Sequence, residues 1–187
     1  MYKRQLVHLN GIDGTDPESL TKGEIEGRKA ALEAIAALKE YMPGCSAGKL
    51  RNFGMTIGIR DTYKIDSVYN LSDEDVKNEC RFEDSVGIYP EFIDGFGVLV
   101  LPTTGRYMHI PYRSLLPKNI KGLLVVGRAI GGSNIAHAAT RNMACCTVTG
   151  QGAGVAAAET IKNKTSLNSV NISNVQKLLS NQNVRVF

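Results

Sequence analysis

The stretch Gly122-Leu-Leu-Val-Val-Gly-Arg128, together with the later stretch Gly150-Gln-Gly-Ala-Gly154-Val-Ala-Ala-Ala158, indicates the fold of this chain most clearly. A short continuous apolar run is typical of a strand covered on both faces of a parallel sheet, so the first stretch predicts a buried strand. The second stretch predicts a helix that carries almost no side-chain bulk on one face. Residues 129–141 between them are predicted to form a loop. This order of elements predicts a mixed α/β fold.

Composition and charge exclude several classes of protein. The chain has 187 residues, of which 43% are hydrophobic and 21% charged, as is ordinary for a soluble globular protein. Its net charge of +4 comes from scattered basic residues, so we expect no nucleic-acid partner. The longest uncharged run, residues 142–158, is shorter than the ~20 residues that cross a bilayer, so we expect no membrane partner. Because no secretory signal opens the chain, the expected location is cytoplasmic.

The four cysteines predict no metal site. None of them lies in a C-x-x-C motif, and their spacing fits neither zinc nor iron–sulfur ligation. Cys145 and Cys146 are adjacent within a predicted helix, where free cysteines behave as small buried hydrophobes.

Local signals place the remaining elements. Thr21-Lys-Gly-Glu24 resembles a capping box and predicts a helix that begins there and ends near Tyr41. Ser72-Asp-Glu-Asp75 predicts the start of a second, short helix. Asn142 is a suitable cap for a helix that ends near Lys162, and a final short helix is predicted over residues 173–180. The predicted strands are residues 53–60, 63–69, 85–89, 97–101, 107–110 and 123–127.

Five segments carry a family resemblance: residues 21–28 (TKGEIEGR), 56–75, 84–95, 107–117 (YMHIPYRSLLP) and 123–158. Through them the chain resembles the C-terminal half of the FAD-dependent oxidoreductase family, in the glutathione-reductase-like flavoprotein superfamily. The resemblance implies an α/β (α+β) fold in which a substrate-side mixed sheet joins the last strand and helix of the FAD domain. The predicted division is an N-terminal remnant and turn (1–20), a substrate-side region (21–118), the last strand and helix of the FAD-binding domain (119–164), and a linker with a C-terminal helix (165–187).

The first half of a cofactor site is missing from the sequence. No predicted strand is followed by G-x-G-x-x-G, the motif that holds the pyrophosphate of a dinucleotide. The resemblance therefore implies a fragment, truncated or completed by another subunit, whose partners are the missing FAD-binding half and a small-molecule substrate. We expect this fragment to be inactive alone. Its first residues, MYKRQ, are interpreted as a cloning or assembly remnant.

The resemblance also implies which residues contact FAD. The helix start at Asn142, Met143 and Ala144 would offer free amides and a positive dipole to the N1/C2=O edge of the flavin. An ordinary capped helix end is the alternative interpretation. Gly150 and Gly154 share a helix face, where the family packs its nucleotide-binding unit.

Gly127 and Arg128 end the predicted strand at the position that faces the ribityl chain and pyrophosphate in related flavoproteins. Arg128 would pair with a phosphate oxygen, or would lie exposed on the surface.

His137 and Arg141 are the first candidates for catalysis. Flavoproteins of the fumarate-reductase type carry His and Arg at this spacing before the flavin-side helix, where these residues hold the substrate. Cations there would stabilise charge that develops on an oxygen as a hydride moves to or from flavin N5.

Four further residues have weaker signals. His109 and Tyr112 are candidate proton carriers, and Arg113 and Arg60 are candidate substrate anchors. For each of these four residues, the alternative interpretation is a packing contact or a surface ion pair. Asp84, Glu91 and Asp94 have the chemistry of a base, but their spacing indicates no common face, so none of them is assigned that role.

The predicted function is that of an FAD-dependent oxidoreductase that transfers a hydride between a small organic substrate and flavin N5. One alternative is a non-catalytic binding or assembly module that keeps the fold but has lost flavin. Another is a part of a heterodisulfide reductase A-like flavoprotein whose iron–sulfur clusters lie outside this chain.

Overall fold

The computed structural model describes residues 7–90, 92–95, 98–101 and 105–187, and the chain divides into two compact units, residues 1–62 and 63–187. The predicted N-terminal remnant MYKRQ, Glu91 and the first residue of the predicted strand 97–101 lie outside the described residues.

The first unit is built on one long helix, α1 (Pro17–Tyr41). Gly23 is buried in this helix, and a methyl group there would come within 2.9 Å of Ile57 and 3.3 Å of Ile12, so these side chains pack closely on the helix. Glu24 accepts a hydrogen bond of 2.6 Å from the amide of Ile57, which ties residues of the following irregular segment to the helix.

The predicted end of α1 at Tyr41 is confirmed, but the predicted capping box at Thr21 is wrong. The N-cap is Asp16, whose carboxylate accepts hydrogen bonds from the amides of Glu18 and Ser19. Pro17 occupies the first helical turn, where a missing N–H costs nothing. The Thr21 hydroxyl instead donates to the carbonyl of Pro17, one turn back.

In its described residues the second unit combines four helices with four short strands. Its regular elements are α2 (Asp73–Lys77), β1 (Ser85–Pro90), β2 (Ile93–Gly95), β3 (Val98–Val100), β4 (Tyr107–Pro111), α3 (Asn134–Thr140), α4 (Met143–Asn163) and α5 (Ile172–Asn181), with 3-10 turns at Tyr112–Leu115, Gly127–Ala129 and Leu167–Ser169. The capping box predicted at Ser72 is confirmed, with reciprocal hydrogen bonds between Ser72 and Asp75.

The strands form two separate two-stranded antiparallel sheets, β1 with β4 and β2 with β3. Tyr89 of β1 lies opposite Met108 of β4, and Asp94 of β2 lies opposite Leu99 of β3. The mixed α/β class is confirmed. The strands predicted over residues 53–60 and 63–69 are wrong, because these segments are irregular apart from one bridge between Ser67 and Pro117.

Residues 123–126 are irregular and Gly127 begins a 3-10 turn, so the buried strand predicted over residues 123–127 is wrong. Val125 donates a backbone hydrogen bond to Leu115, and Leu124 packs against the core. Leu123 and Val126 remain 42% and 39% exposed. Within the described residues no parallel strand lies beside this segment to cover that face.

The predicted loop 129–141 contains helix α3, which the sequence analysis missed. Ser133 caps this helix by accepting a hydrogen bond from the amide of Ala136, and its hydroxyl contacts the carboxylate of Asp73. Buried alanines then hold α3 in the core. The helix is only seven residues long, so it lacks the long periodic pattern from which helices are usually recognised.

Helix α4 packs its inner face on β1, and the three glycines of α4 differ in their surroundings. A methyl group at Gly152 would lie 2.7 Å from Cβ of Val86, whereas no described atom lies within 4 Å of a methyl group at Gly150 or Gly154. Close packing of α4 within this unit therefore depends on Gly152. The other two glycines lie on an open face.

These surroundings predict opposite effects of alanine in one helix. Gly150→Ala and Gly154→Ala should each stabilise the chain by about 0.5–1 kcal/mol, because alanine is the better helix former and meets no obstacle. Gly152→Ala should destabilise it by about 1–3 kcal/mol, because β1 must shift to make room. Urea denaturation of the three variants measures the free energies of unfolding. Equal effects at all three positions would contradict this account of the packing.

Candidate functional site

The amino end of α4 is open at its first turn. Asn142 occupies the N-cap position, but within the described residues its side chain makes no capping hydrogen bond. Its amide group donates instead to the carbonyl of Ala139 at 3.1 Å. Met143, the first helical residue, is 84% exposed, and Ala144 is also exposed. The amides of this turn receive no capping hydrogen bond from the Asn142 side chain, and with the positive end of the helix dipole they suit a negatively charged group.

A left-handed glycine turn lies beside the same end of the helix. Gly127 has φ +70°, and its amide donates to the Thr149 hydroxyl of α4 at 3.0 Å. A methyl group at Gly127 would come within 3.7 Å of the Cys146 sulfur. Burial raises the pKa of the Cys146 thiol, and the nearby charge of Arg128 opposes that rise. The exposed Arg128 thus lies close to the first turns of α4.

The backbone of Arg141 joins α3, the helix that contains His137, to this end of α4. Arg141 caps α3, and its amide donates to the carbonyl of His137 at 2.9 Å. The Arg141 guanidinium is only 8% exposed; Nη2 donates to the backbone carbonyl of Asp94 and lies 3.5 Å from its carboxylate. The Cys146 thiol donates to the carbonyl of Arg141 at 3.5 Å, which links the end of α3 to α4.

The structure therefore brings together most of the residues that the sequence analysis assigned to a cofactor and substrate. This group, called the α4 site below, consists of Gly127, Arg128, His137, Arg141, Asn142, Met143 and Ala144. His137 is 4% exposed, so the group has a buried side as well as the open helix end.

Two residues that the sequence analysis missed support the α4 site. Thr149 fixes the amide of Gly127, and it is a polar, fully buried residue in a helix that is otherwise rich in Gly and Ala. The contrast between polar Thr149 and its small apolar neighbours is a sequence signal that could have identified this residue. Tyr89 of β1 is buried, and burial raises its pKa to about 12 while a hydrogen bond with Asn142 opposes the rise. No motif marks Tyr89.

His109 lies in a different environment, on β4. Its Nδ1 is 3.1 Å from the amide of Phe82, and its ring packs edge-on against Phe187. The residue is 4% exposed, and Nε2 has no hydrogen-bond partner within the described residues. Burial lowers the pKa of His109, and the charges of Arg81 and Arg185 lower it further. A neutral ring in such a place supports packing, the alternative given above, better than proton transfer.

The lowered pKa of His109 predicts a loss of stability in acid. The unfolded state takes up a proton near pH 6.5 but the folded state only at lower pH, so stability falls as pH drops below 6.5. One such group contributes a slope of at most about 1.4 kcal/mol per pH unit. Denaturation between pH 7.5 and 5 should give a steeper loss for the wild type than for His109→Asn. Parallel pH profiles of the two proteins would rule out this role for His109.

Tyr112 and Arg113 are held by structural contacts. The Tyr112 hydroxyl donates to the carbonyl of Leu167 at 3.0 Å, and burial raises its pKa to about 12, so it would release a proton poorly near neutral pH. Arg113 forms a two-point ion pair with Asp84, with distances of 2.9 and 3.2 Å, and lies over the ring of Tyr69. Their assignments as proton carrier and substrate anchor remain untested predictions.

Arg60 belongs to the first unit, where it is half-buried in an irregular segment. Its assignment as a substrate anchor also stays a prediction. Gly150 and Gly154 lie further along α4. No described atom lies within 4 Å of a methyl group added at either glycine, so the packing role predicted for them has no described partner.

Comparison with known proteins gives one result. No curated protein and no solved structure matches the chain. A family model described as FAD dependent oxidoreductase matches residues 2–179, which is nearly the whole sequence. Among the described residues no helix combines the length and apolarity that a membrane span requires. The chain belongs to the FAD-dependent oxidoreductase family, which implies a flavin oxidoreductase role and FAD as its cofactor.

Proposed function

We propose that this chain supplies the flavin-ring side of the FAD site and part of the substrate pocket in an oxidoreductase that acts on a small organic substrate. The observation that carries the proposal is the open amino end of α4 beside the Gly127 turn and Arg141. When bound, FAD would exchange a hydride with the substrate at flavin N5.

The residues of the α4 site fit the ring edge of a flavin. The first-turn amides of Met143 and Ala144 are donors suited to the electron-rich N1/C2=O edge, and the helix dipole adds to their effect. Fixed donors of this kind favour a reduced, negatively charged ring. Arg128 is exposed beside this turn and would pair with a phosphate oxygen of the cofactor.

Arg141 and His137 would orient the substrate. The Arg141 guanidinium is fixed by its contacts with Asp94, so its charge is already placed before a substrate arrives. Because its side chain is 8% exposed, only a small part of it is open to a ligand. Water is largely excluded there, and a charge acts more strongly in such surroundings. These residues would polarise a substrate oxygen and stabilise the charge that develops on it.

The dinucleotide-binding half would cover the open face of α4. Met143, Gly150, Gly154 and Ile161 follow one another at intervals of seven, four and seven residues, the spacing of one helix face, and Met143 and Ile161 are 84% and 79% exposed. Exposed apolar faces of this kind are typical of interfaces. The glycines would let a second backbone approach closely. We infer that this half, from the same chain or another, holds the adenosine and pyrophosphate of FAD.

The 187-residue chain alone is therefore expected to bind FAD weakly or not at all. Titration of the purified chain with FAD, followed by flavin fluorescence, should give a Kd no tighter than about 100 μM, because the G-x-G-x-x-G motif is absent. A purified chain that is yellow and retains FAD through gel filtration would overturn the proposed division of the site.

A substitution on the open face of α4 tests whether the dinucleotide-binding half covers that face. In the protein completed by its dinucleotide-binding half, Gly154→Leu should abolish FAD retention, whereas the chain alone keeps its stability because position 154 is open. Lys177→Leu, an exposed position on α5, is the matched control and should retain FAD. Equal FAD retention by both variants would contradict an interface on α4. If no form of the completed protein binds FAD, the alternative of a non-catalytic module is favoured.

A further inference from the structure

Residues 184–187, called the 184–187 segment below, contact both strands of the β1–β4 sheet. A methyl group at Gly87 of β1 would come within 3.9 Å of the Arg185 carbonyl oxygen. Arg185 Nη2 donates to the Tyr107 hydroxyl of β4 at 3.0 Å, and its guanidinium carbon lies 4.7 Å from the centre of the Tyr107 ring. Val186 is 6% exposed and belongs to the hydrophobic core. A short irregular segment thus closes over one part of the sheet.

The ring of His109 lies against this segment. It packs edge-on against Phe187 at 5.6 Å between ring centres and stacks on Tyr107 at 6.2 Å. Nδ1 lies 3.1 Å from the amide and 3.2 Å from the carbonyl of Phe82, whereas Nε2 is buried without a partner within the described residues. A protonated ring carries an N–H donor on both nitrogens, so Nε2–H would become a charged donor without an acceptor.

The charged groups that face His109 also oppose its protonation. They are Arg81, which precedes β1, and Arg185 of the 184–187 segment. The acidic residue of this group, Glu79, is paired with Arg81 at 3.8 Å and with Arg106 at 3.0 Å. Burial and the two facing arginines therefore keep the His109 ring neutral while the segment is in place.

We propose that the 184–187 segment is a pH-sensitive latch that opens when His109 takes up a proton. Opening lets water reach Nε2 and removes Arg185, so the charged ring gains a hydrogen-bond partner and loses one of the two cations that face it. Because these gains exist only in the open state, proton uptake favours opening. The pKa of His109 lies below 6.5, so the latch is closed at neutral pH and opens in acid. It needs no flavin.

NMR on the 187-residue chain tests the latch directly. Between about pH 7.5 and about pH 4, the order parameter of the Val186 amide should fall from about 0.85 to below about 0.6 as the His109 ring signals titrate. Val175, which is fully buried in α5, should keep its value and so report that the unit remains folded. In His109→Asn the ring is replaced by a group that does not titrate, so Val186 should stay ordered over the whole range.

Phe187→Ala tests whether the segment keeps His109 neutral. With this ring removed, the pKa of His109 should rise toward 6.5, because water reaches Nε2 more easily. Tyr63→Ala is the matched control, because Tyr63 is another exposed aromatic residue of the same unit, and it should leave the titration unchanged. The proposal is overturned if Val186 stays ordered down to the lowest pH, if Val186 and Val175 lose order together, or if Phe187→Ala leaves the pKa of His109 unchanged.

Discussion

Replacing Gly131 with alanine is expected to destabilise the second unit by about 3 kcal/mol. Gly131 is buried, and a methyl group there would overlap Oγ of Ser67 and Oδ1 of Asn70. Ser67 is itself fully buried and donates to the carbonyl of Tyr69 at 2.6 Å. The backbone of Gly131 also accepts a hydrogen bond from Leu71, so the chain cannot move away without losing that bond.

Urea denaturation of Gly131→Ala and of the wild type measures this effect. Gly154→Ala is the matched control, because position 154 is open and the same change should not destabilise the chain there. Adding Ser67→Ala to Gly131→Ala removes one of the overlapping atoms, so the double variant should be more stable than the sum of the two single effects predicts. A Gly131→Ala protein as stable as the wild type would contradict the packing described here.

Replacing Met143 with aspartate is expected to lower the reduction potential of the bound flavin by about 30–60 mV, where 30 mV corresponds to about 1.4 kcal/mol for two electrons. A carboxylate at the start of α4 would repel the negative charge that reduction places on the N1/C2=O edge. The fold should not suffer, because Met143 is 84% exposed and an acidic residue in the first turn stabilises a helix.

Met143→Asn is the matched control, because it has the shape of aspartate without the charge. Redox titration of the FAD-loaded protein compares the two variants with the wild type. Equal potentials for Met143→Asp and Met143→Asn would place the flavin ring away from the start of α4. A melting temperature of Met143→Asp below that of Met143→Asn would instead contradict the described start of α4.

The sequence predicts the elements that local chemistry determines. The capping box at Ser72 is a reciprocal pair within four residues, and α4 begins directly after Asn142. The strands predicted over residues 85–89 and 107–110 are confirmed, and the breaks at Pro90 and Gly105 are what mark them in the sequence. In these cases the deciding contacts are close together in the sequence.

Predictions failed where a distant partner decides the structure. Segment 123–127 is apolar enough for a buried strand, but pairing depends on a neighbour that the described residues do not provide. Thr21 has the spacing of a capping box, yet α1 starts earlier because Asp16 and Pro17 together form a better start. The spacing of residues alone does not show which of two suitable N-cap residues begins the helix.

The candidate site was predictable in part for the same reason. His137, Arg141 and Asn142 are neighbours in the sequence, so one motif identifies the group. Asp94 contacts Arg141 from 47 residues away, and no spacing rule connects the two. His109 and Tyr112 have the right chemistry for proton transfer, but their burial and contacts became visible only in the structure.

A crystal structure of the FAD-loaded protein tests the central claim most directly, because the claim is that the start of α4 faces the flavin ring. The C2 carbonyl oxygen of the flavin should lie about 3 Å from the backbone nitrogen of Met143 or Ala144. A flavin ring bound elsewhere, with these two nitrogens facing water or protein, would contradict the account.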